Sequence, residues 1–249
     1  MHLAKPHLAM LHGWGMNARV FDTLAEWLAD DFELHALSLP GHGGRAALPH
    51  NTLQSWADDL AQQLPPQSTL LGWSLGGQVA MRAALDHPHA IARLVLLSAT
   101  PAFVATAEWS AGMALDDLEA FGRSLIADPE ATLLRFLSLQ TRGMAEQKPV
   151  LQRLRQAFAA VPPADAGALA SGLDILRETD LRASVPQLTQ PTLVLHGALD
   201  TLTPPAAGDW LAAHVPNAQL RVLSRAAHAP QLSHSAEVAV AIREFAAHG

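Results

Sequence analysis

The sequence predicts an α/β protein: a mostly parallel central sheet with helices on both faces. Six short apolar runs recur along its 249 residues, and amphipathic stretches of helical period separate most of them. A single long interval without strand character lies between the fourth run and the fifth. Nearly continuous apolar runs suit strands covered on both faces. Strand–helix alternation brings the chain back to the same end of the sheet each time, so the strands pair in parallel.

The expected strands are residues 8–11, 34–39, 69–72, 94–98, 192–196 and 220–223. Between the first two, Val20, Leu24, Trp27 and Leu28 form an apolar stripe. Leu53, Trp56, Ala57, Leu60, Ala61 and Leu64 follow the i, i+3, i+4, i+7 pattern of a helix with one buried face. Val238, Ile242 and Phe245 share a face of the last helix. From 103 to 181 only helical patterns occur, broken at Asp128-Pro129, Lys148-Pro149 and Val161-Pro162-Pro163. An insert of this kind reads as a helical lid over the carboxyl ends of the strands, where open α/β sheets bind ligands. The expected organisation is a core of 1–102 and 182–249, with 103–181 inserted as the lid.

Composition removes whole classes of function. Hydrophobic residues make up 49% and charged residues 16%, which excludes a disordered chain or a long coiled coil. A net charge of −7 argues against nucleic acid as a partner, since that needs a basic footprint. With no Cys, neither thiolate catalysis nor a Cys-ligated metal is available. No apolar run is long enough to span a membrane, and the first residues lack the apolar core of a signal peptide. A cytoplasmic, monomeric protein without metal or cofactor is expected; neither H-E-x-x-H nor another metal-ligand spacing occurs.

The chemistry centres on Gly72-Trp73-Ser74-Leu75-Gly76, a G-x-S-x-G motif preceded by a strand and followed by a helical pattern. That context is the nucleophile elbow, a sharp turn that presents the serine hydroxyl and crowds the backbone two residues to either side. A serine nucleophile needs a base, and the base needs an orienting acid. Asp200 follows the strand 192–196 and His228 follows the strand ending at 223, so both reach the same sheet edge as Ser74. Taken singly, such an Asp forms turns and such a His is a surface residue. In the order Ser, Asp, His, each after a strand, they read as a catalytic triad. The oxyanion donors expected are the N–H groups of Leu75 and of Trp14, on the loop His12-Gly13-Trp14-Gly15. His12, His42 and His196 are read as structural.

Ser74, Asp200, His228 and the His12–Gly15 loop resemble the α/β-hydrolase superfamily over the whole chain. Within it, Leu11–Gly15, Gly72–Gly77, Phe136–Thr141, Gly172–Leu176 and Ala226–Pro230 resemble the esterases that hydrolyse the methyl ester of pimeloyl-acyl carrier protein in biotin synthesis. The resemblance implies the α/β-hydrolase fold, nucleophile Ser74, acid Asp200, base His228 and oxyanion donors Trp14 and Leu75. It also implies substrate contacts from Phe136, Leu137, Ser138, Leu139 and Gln140, and an acyl carrier protein as partner. Family members usually carry a β-hairpin before the first of these strands. Here about six residues precede it, so the sheet is expected to lack those strands and expose an edge.

Independently of the resemblance, charge is unevenly spread. Residues 131–163 contain Arg135, Arg142, Lys148, Arg153 and Arg155 against Glu146 alone, a net +4, which leaves −11 for the remainder of the −7 chain. An ordinary solvated helix face would look the same, but a basic lid on an acidic body also suits docking of an acidic carrier. Other hydrolases of small esters, lactones or carbon–carbon bonds share the same triad and lid. A non-catalytic receptor on this fold would have lost a triad member, and dehalogenases or epoxide hydrolases would place Asp where Ser74 stands.

Overall fold

The computed structural model describes residues 4–247. Strand β1 (His7–Leu11) leads through a 3-10 turn (Ala18–Phe21) and helix α1 (Asp22–Leu28) to β2 (Glu33–Leu37). Helix α2 (Leu53–Gln63), β3 (Ser68–Trp73), α3 (Leu75–Asp86) and β4 (Ile91–Leu97) follow. The long interval holds α4 (Leu115–Ala127), α5 (Pro129–Leu139), α6 (Gln147–Ala159) and α7 (Ala166–Glu178). The chain closes with β5 (Thr192–Gly197), α8 (Pro205–His214), β6 (Ala218–Leu223), α9 (Pro230–Ser233) and α10 (Ser235–Ala247).

All six strands pair in parallel in the order β2-β1-β3-β4-β5-β6. After β2 the chain crosses β1 to build the rest of the sheet. The order therefore reverses between β1 and β3, and a crevice opens beyond their carboxyl ends. Alternation along each inner strand serves two cores. Ala9, Leu11, Leu70, Leu94, Leu96 and Val194 pack with α2, α3 and α8. Leu8, Met10, Leu71, Trp73, Val95, Leu97, Leu193 and Leu195 pack with α1 and α10. That double demand explains why β3 and β5 read as unbroken apolar runs; both are buried throughout.

The outer strands differ from the expectation of cover on both faces. In β2 no residue is fully buried, with Glu33 and Ala36 exposed, and Val222 of β6 is 44% exposed. Among the described residues no strand pairs outside β2, so an exposed edge is present there. Helix α2 begins at Thr52, whose hydroxyl accepts from Ser55 N–H while Thr52 N–H donates to Ser55 Oγ, a reciprocal cap. Leu24 and Leu28 are buried as their spacing predicts. Trp27 is not: it is 48% exposed, because the stripe is narrower than four residues.

Between β4 and β5, the Asp128-Pro129 break is real. Asp128 Oδ1 caps α5 by accepting from Ala131 N–H, with Pro129 in the first position. Lys148-Pro149 is not a break. Pro149 lies in the first turn of α6, where its missing N–H has no intrahelical carbonyl to satisfy. Pro162 and Pro163 precede α7, which Asp165 caps by accepting from Ala168 N–H. The segment's two ends meet: Leu181 N–H donates to the Pro101 carbonyl, and Ala102 bridges to Asp180. Its buried residues join the main cores, Leu133 and Leu169 on one side and Leu137 and Leu154 on the other.

Candidate active site

Ser74 occupies the single residue between β3 and α3, with φ 57° and ψ −121°. Only a crowded turn forces a serine there. The glycines either side are required by contact: a Cβ on Gly72 would stand 2.4 Å from the Gly76 carbonyl oxygen, and one on Gly76 would stand 2.5 Å from the carbonyl oxygens of Leu11 and His12. The elbow is thus wedged between its own helix and the end of β1.

Asp200 and His228 lie on the loops after β5 and β6, and the folded chain brings both to Ser74. His228 Nε2 is 3.0 Å from Ser74 Oγ, and His228 Nδ1 is 2.8 Å from Asp200 Oδ2. All three are almost fully buried. Asp200 is locked in turn. Its Oδ1 accepts from the N–H groups of Leu202 and Thr203 at 2.9 and 3.0 Å. Burial alone would raise its carboxyl pKa, but the adjoining His228 charge and hydrogen bond, with help from His196 and Thr203, hold it below the usual carboxylate range. An ionised acid beside Nδ1 keeps the imidazole in the tautomer whose Nε2 accepts a proton from Ser74.

The His228 backbone is held from two sides. Its N–H donates to the Gln140 carbonyl at 3.1 Å, and its own carbonyl accepts from Trp73 Nε1 at 2.7 Å. Trp14 and Leu75 flank Ser74. Leu75 opens α3, and the loop carrying Trp14 passes so close that a Cβ on Gly13 would meet Ser74 Cβ at 3.0 Å. Trp14's ring reaches into the helical segment, with edge contacts to Phe121 and Phe136 and a 2.9 Å bond from Nε1 to the Leu169 carbonyl. His12 braces this loop: its Nδ1 donates to the Gly13 carbonyl and its Nε2 accepts from Leu39 N–H. Burial, reinforced by nearby His42, pushes the His12 pKa down to about 3. Desolvation also lowers the pKa of His42 and His196. Neutral, buried and bonded to backbone, the three are built as structural groups.

A cavity of about 440 Å³ opens over Ser74 and His228, within the usual range for small-molecule sites. Trp14, Phe136 and Leu139 line it, as do Arg142 and, from α4 and α7, Leu118, Phe121 and Leu173. Leu137, Ser138 and Gln140 do not. On a helix, Phe136 and Leu139 share one face while Leu137 points into the opposite core, and Gln140 contributes its carbonyl to His228. Of the five basic residues, Arg135, Arg142, Lys148 and Arg155 are exposed and form no ion pair among the described residues. Arg153, also exposed, donates to the Leu232 carbonyl at 2.9 Å and so ties α6 to α9.

Sequence reasoning missed Thr203. Its Oγ1 lies 2.8 Å from Asp200 Oδ2, 3.0 Å from the Ser98 carbonyl oxygen and 3.3 Å from His228 Nδ1. Ser98, directly after β4 and at φ 45°, sits in the left-handed region and turns that carbonyl inward. No motif marks a hydroxyl three residues after the acid. Also missed are His7, Glu33 and His35, the one group with metal-ligating spacing among the described residues; they lie at the other end of the sheet, on two strands.

The family model described as alpha/beta hydrolase fold matches residues 6–235. A pimeloyl-[acyl-carrier protein] methyl ester esterase of Nitrosomonas europaea is 42% identical, covering 92% of this chain and 90% of that one. The protein of the same name from Aromatoleum aromaticum is 40% identical over 96% and 98%. Among solved structures, an esterase from Exiguobacterium antarcticum shares the fold with TM-score 0.87 at 23% identity, covering 97% and 92%. The chain is an esterase of the α/β-hydrolase fold and belongs, within that fold, to the family of the pimeloyl-[acyl-carrier protein] methyl ester esterases.

Proposed function

We propose that this enzyme is a serine carboxylesterase that hydrolyses the methyl ester of pimeloyl-acyl carrier protein to the free acid and methanol, the step its relatives' names describe. The observation that carries the reading is the hydrogen-bonded line Ser74–His228–Asp200 at the wall of a largely apolar cavity. In this reading His228 takes the Ser74 proton as Oγ attacks the ester carbonyl carbon. The N–H groups of Trp14 and Leu75 hold the developing oxyanion. His228 then protonates the departing methoxide, and a water that it deprotonates releases the acid and restores Ser74. Phe121, Phe136, Leu139 and Leu173 offer a straight acyl chain an apolar wall. In the wider set inferred from the family, Leu137, Ser138 and Gln140 act from behind that wall.

Residues 103–181 serve as a lid on a core of 1–102 and 182–249, a division supported by the bonds that join the segment's ends. Its basic residues receive the acidic carrier. We infer a monomer in the cytoplasm; among the described residues no helix is long and apolar enough to cross a membrane. The experiment supplies purified protein with carrier-bound pimeloyl methyl ester and measures methanol. Rapid release, lost in Ser74→Ala, is the expected result; no release, or release undiminished in Ser74→Ala, overturns it.

A further inference from the structure

Far from the triad, at the amino ends of β1 and β2, His7 stands opposite Glu33 in the parallel register. Glu33 and His35, two apart on β2, share its face. Leu8 and Leu34 turn the other way, into the core. This places two imidazoles and a carboxylate together on the sheet's outer edge. His7 Nδ1 is 3.1 Å from His35 Nε2, and the Glu33 oxygens lie 3.6 Å from His7 Nδ1 and 3.9 Å from His35 Nε2.

Ligand atoms bound at about 2.0–2.1 Å to a tetrahedral zinc lie roughly 3.3 Å from one another. The three separations straddle that value. Two ring nitrogens at such a distance share either one proton or one cation, and the carboxylate beside both favours added positive charge. Nitrogen and oxygen donors without sulfur match zinc and its neighbours in the divalent series. Glu33 is exposed, which leaves the fourth position to water.

We propose that His7, Glu33 and His35 form a divalent transition-metal site, best suited to zinc, that clips the edge strand β2 to β1. Its consequence is structural, because binding only to the folded state stabilises that state. Two of the ligands sit on the exposed edge of the sheet, where the strand has a neighbour on one side only.

The test titrates metal-free full-length protein with zinc chloride near neutral pH by calorimetry. One equivalent should bind. His7→Gln and His35→Gln should each weaken it by at least about tenfold, Glu33→Gln should weaken it several-fold, and His89→Gln, at an exposed histidine elsewhere, should leave it unchanged. Zinc should raise the wild-type thermal midpoint by about 5 °C but not that of His35→Gln. Cobalt(II) gives an independent reading through the intense visible bands of a tetrahedral site. If the histidine variants fail to fold, Glu33→Gln and the wild-type cobalt spectrum decide. Absence of zinc binding, or binding that survives His7→Gln and His35→Gln, overturns the proposal and leaves a shared proton.

Discussion

Trp73 Nε1 donates a 2.7 Å hydrogen bond to the main-chain carbonyl of His228. The residue before Ser74 therefore anchors the backbone of His228, and the two rings lie 5.6 Å apart between centroids. Trp73→Phe keeps most of the ring but strands a buried carbonyl, at a cost of about 1–3 kcal/mol. The mutant should unfold at lower denaturant and lose about tenfold or more in kcat with little change in KM, since the bond positions the base and touches no substrate. A kcat equal to wild type would mean that the Gln140 carbonyl suffices to hold His228.

Trp14 depends on a glycine in α7. A Cβ on Gly172 would stand 2.6 Å from Trp14 Cδ1 and 3.1 Å from its Nε1. Gly172→Ala should therefore displace the indole, disturb its bond to the Leu169 carbonyl and shift the loop beside Ser74. Overpacking of this kind costs about 1–3 kcal/mol. Methanol release should fall more than stability alone explains, and a crystal structure of the variant should show the Trp14 ring moved.

Acid stability follows from the buried histidines. In the unfolded chain His12 takes up a proton near pH 6.5, whereas in the folded protein it stays neutral down to about 3. Between those values the unfolded state binds more protons, so stability rises with pH and is lost as pH falls through the window. For His12 the limiting loss is on the order of 5 kcal/mol. His42 and His196, also lowered by burial, act in the same direction. Asp200 adds to the loss further down, where the acid held below its usual range must be protonated. Urea midpoints should drop steadily from neutral pH to about pH 4. The His12→Asn variant should be less stable at neutral pH yet show a flatter slope; an identical slope would assign the effect to other groups.

Ser74, Asp200 and His228 are legible in the sequence because each follows an apolar run that fixes its position at one sheet edge. The elbow glycines are legible for the same steric reason that the structure shows at Gly72 and Gly76. Thr203 is not legible, since its role depends on the direction of the Ser98 carbonyl and no local pattern encodes that. Nor is the split between Phe136 and Leu137, because both are apolar and only the rotation of α5 against the core decides which one meets the cavity. Pro149 misleads for a positional reason: a proline breaks a helix interior but fits a first turn. His7, Glu33 and His35 stay hidden because the register of β1 with β2 brings them together, and register is not written in either run alone.

The basic residues of the helical segment divide by what they touch. Arg142 lines the cavity, Arg153 is bonded to the Leu232 carbonyl, and Arg135, Lys148 and Arg155 are exposed without either role. Reversal of the last three to Glu thus separates docking from chemistry. For the carrier-linked ester, kcat/KM should fall about tenfold or more and lose much of its dependence on salt, because a steering field has been inverted. A small methyl ester should be hydrolysed within about twofold of wild type, since no cavity residue has changed. Arg142→Glu, by contrast, should impair both substrates. If the triple reversal slows the two esters equally, these residues are not a carrier surface, and the positive charge of 131–163 is only a solvated helix face.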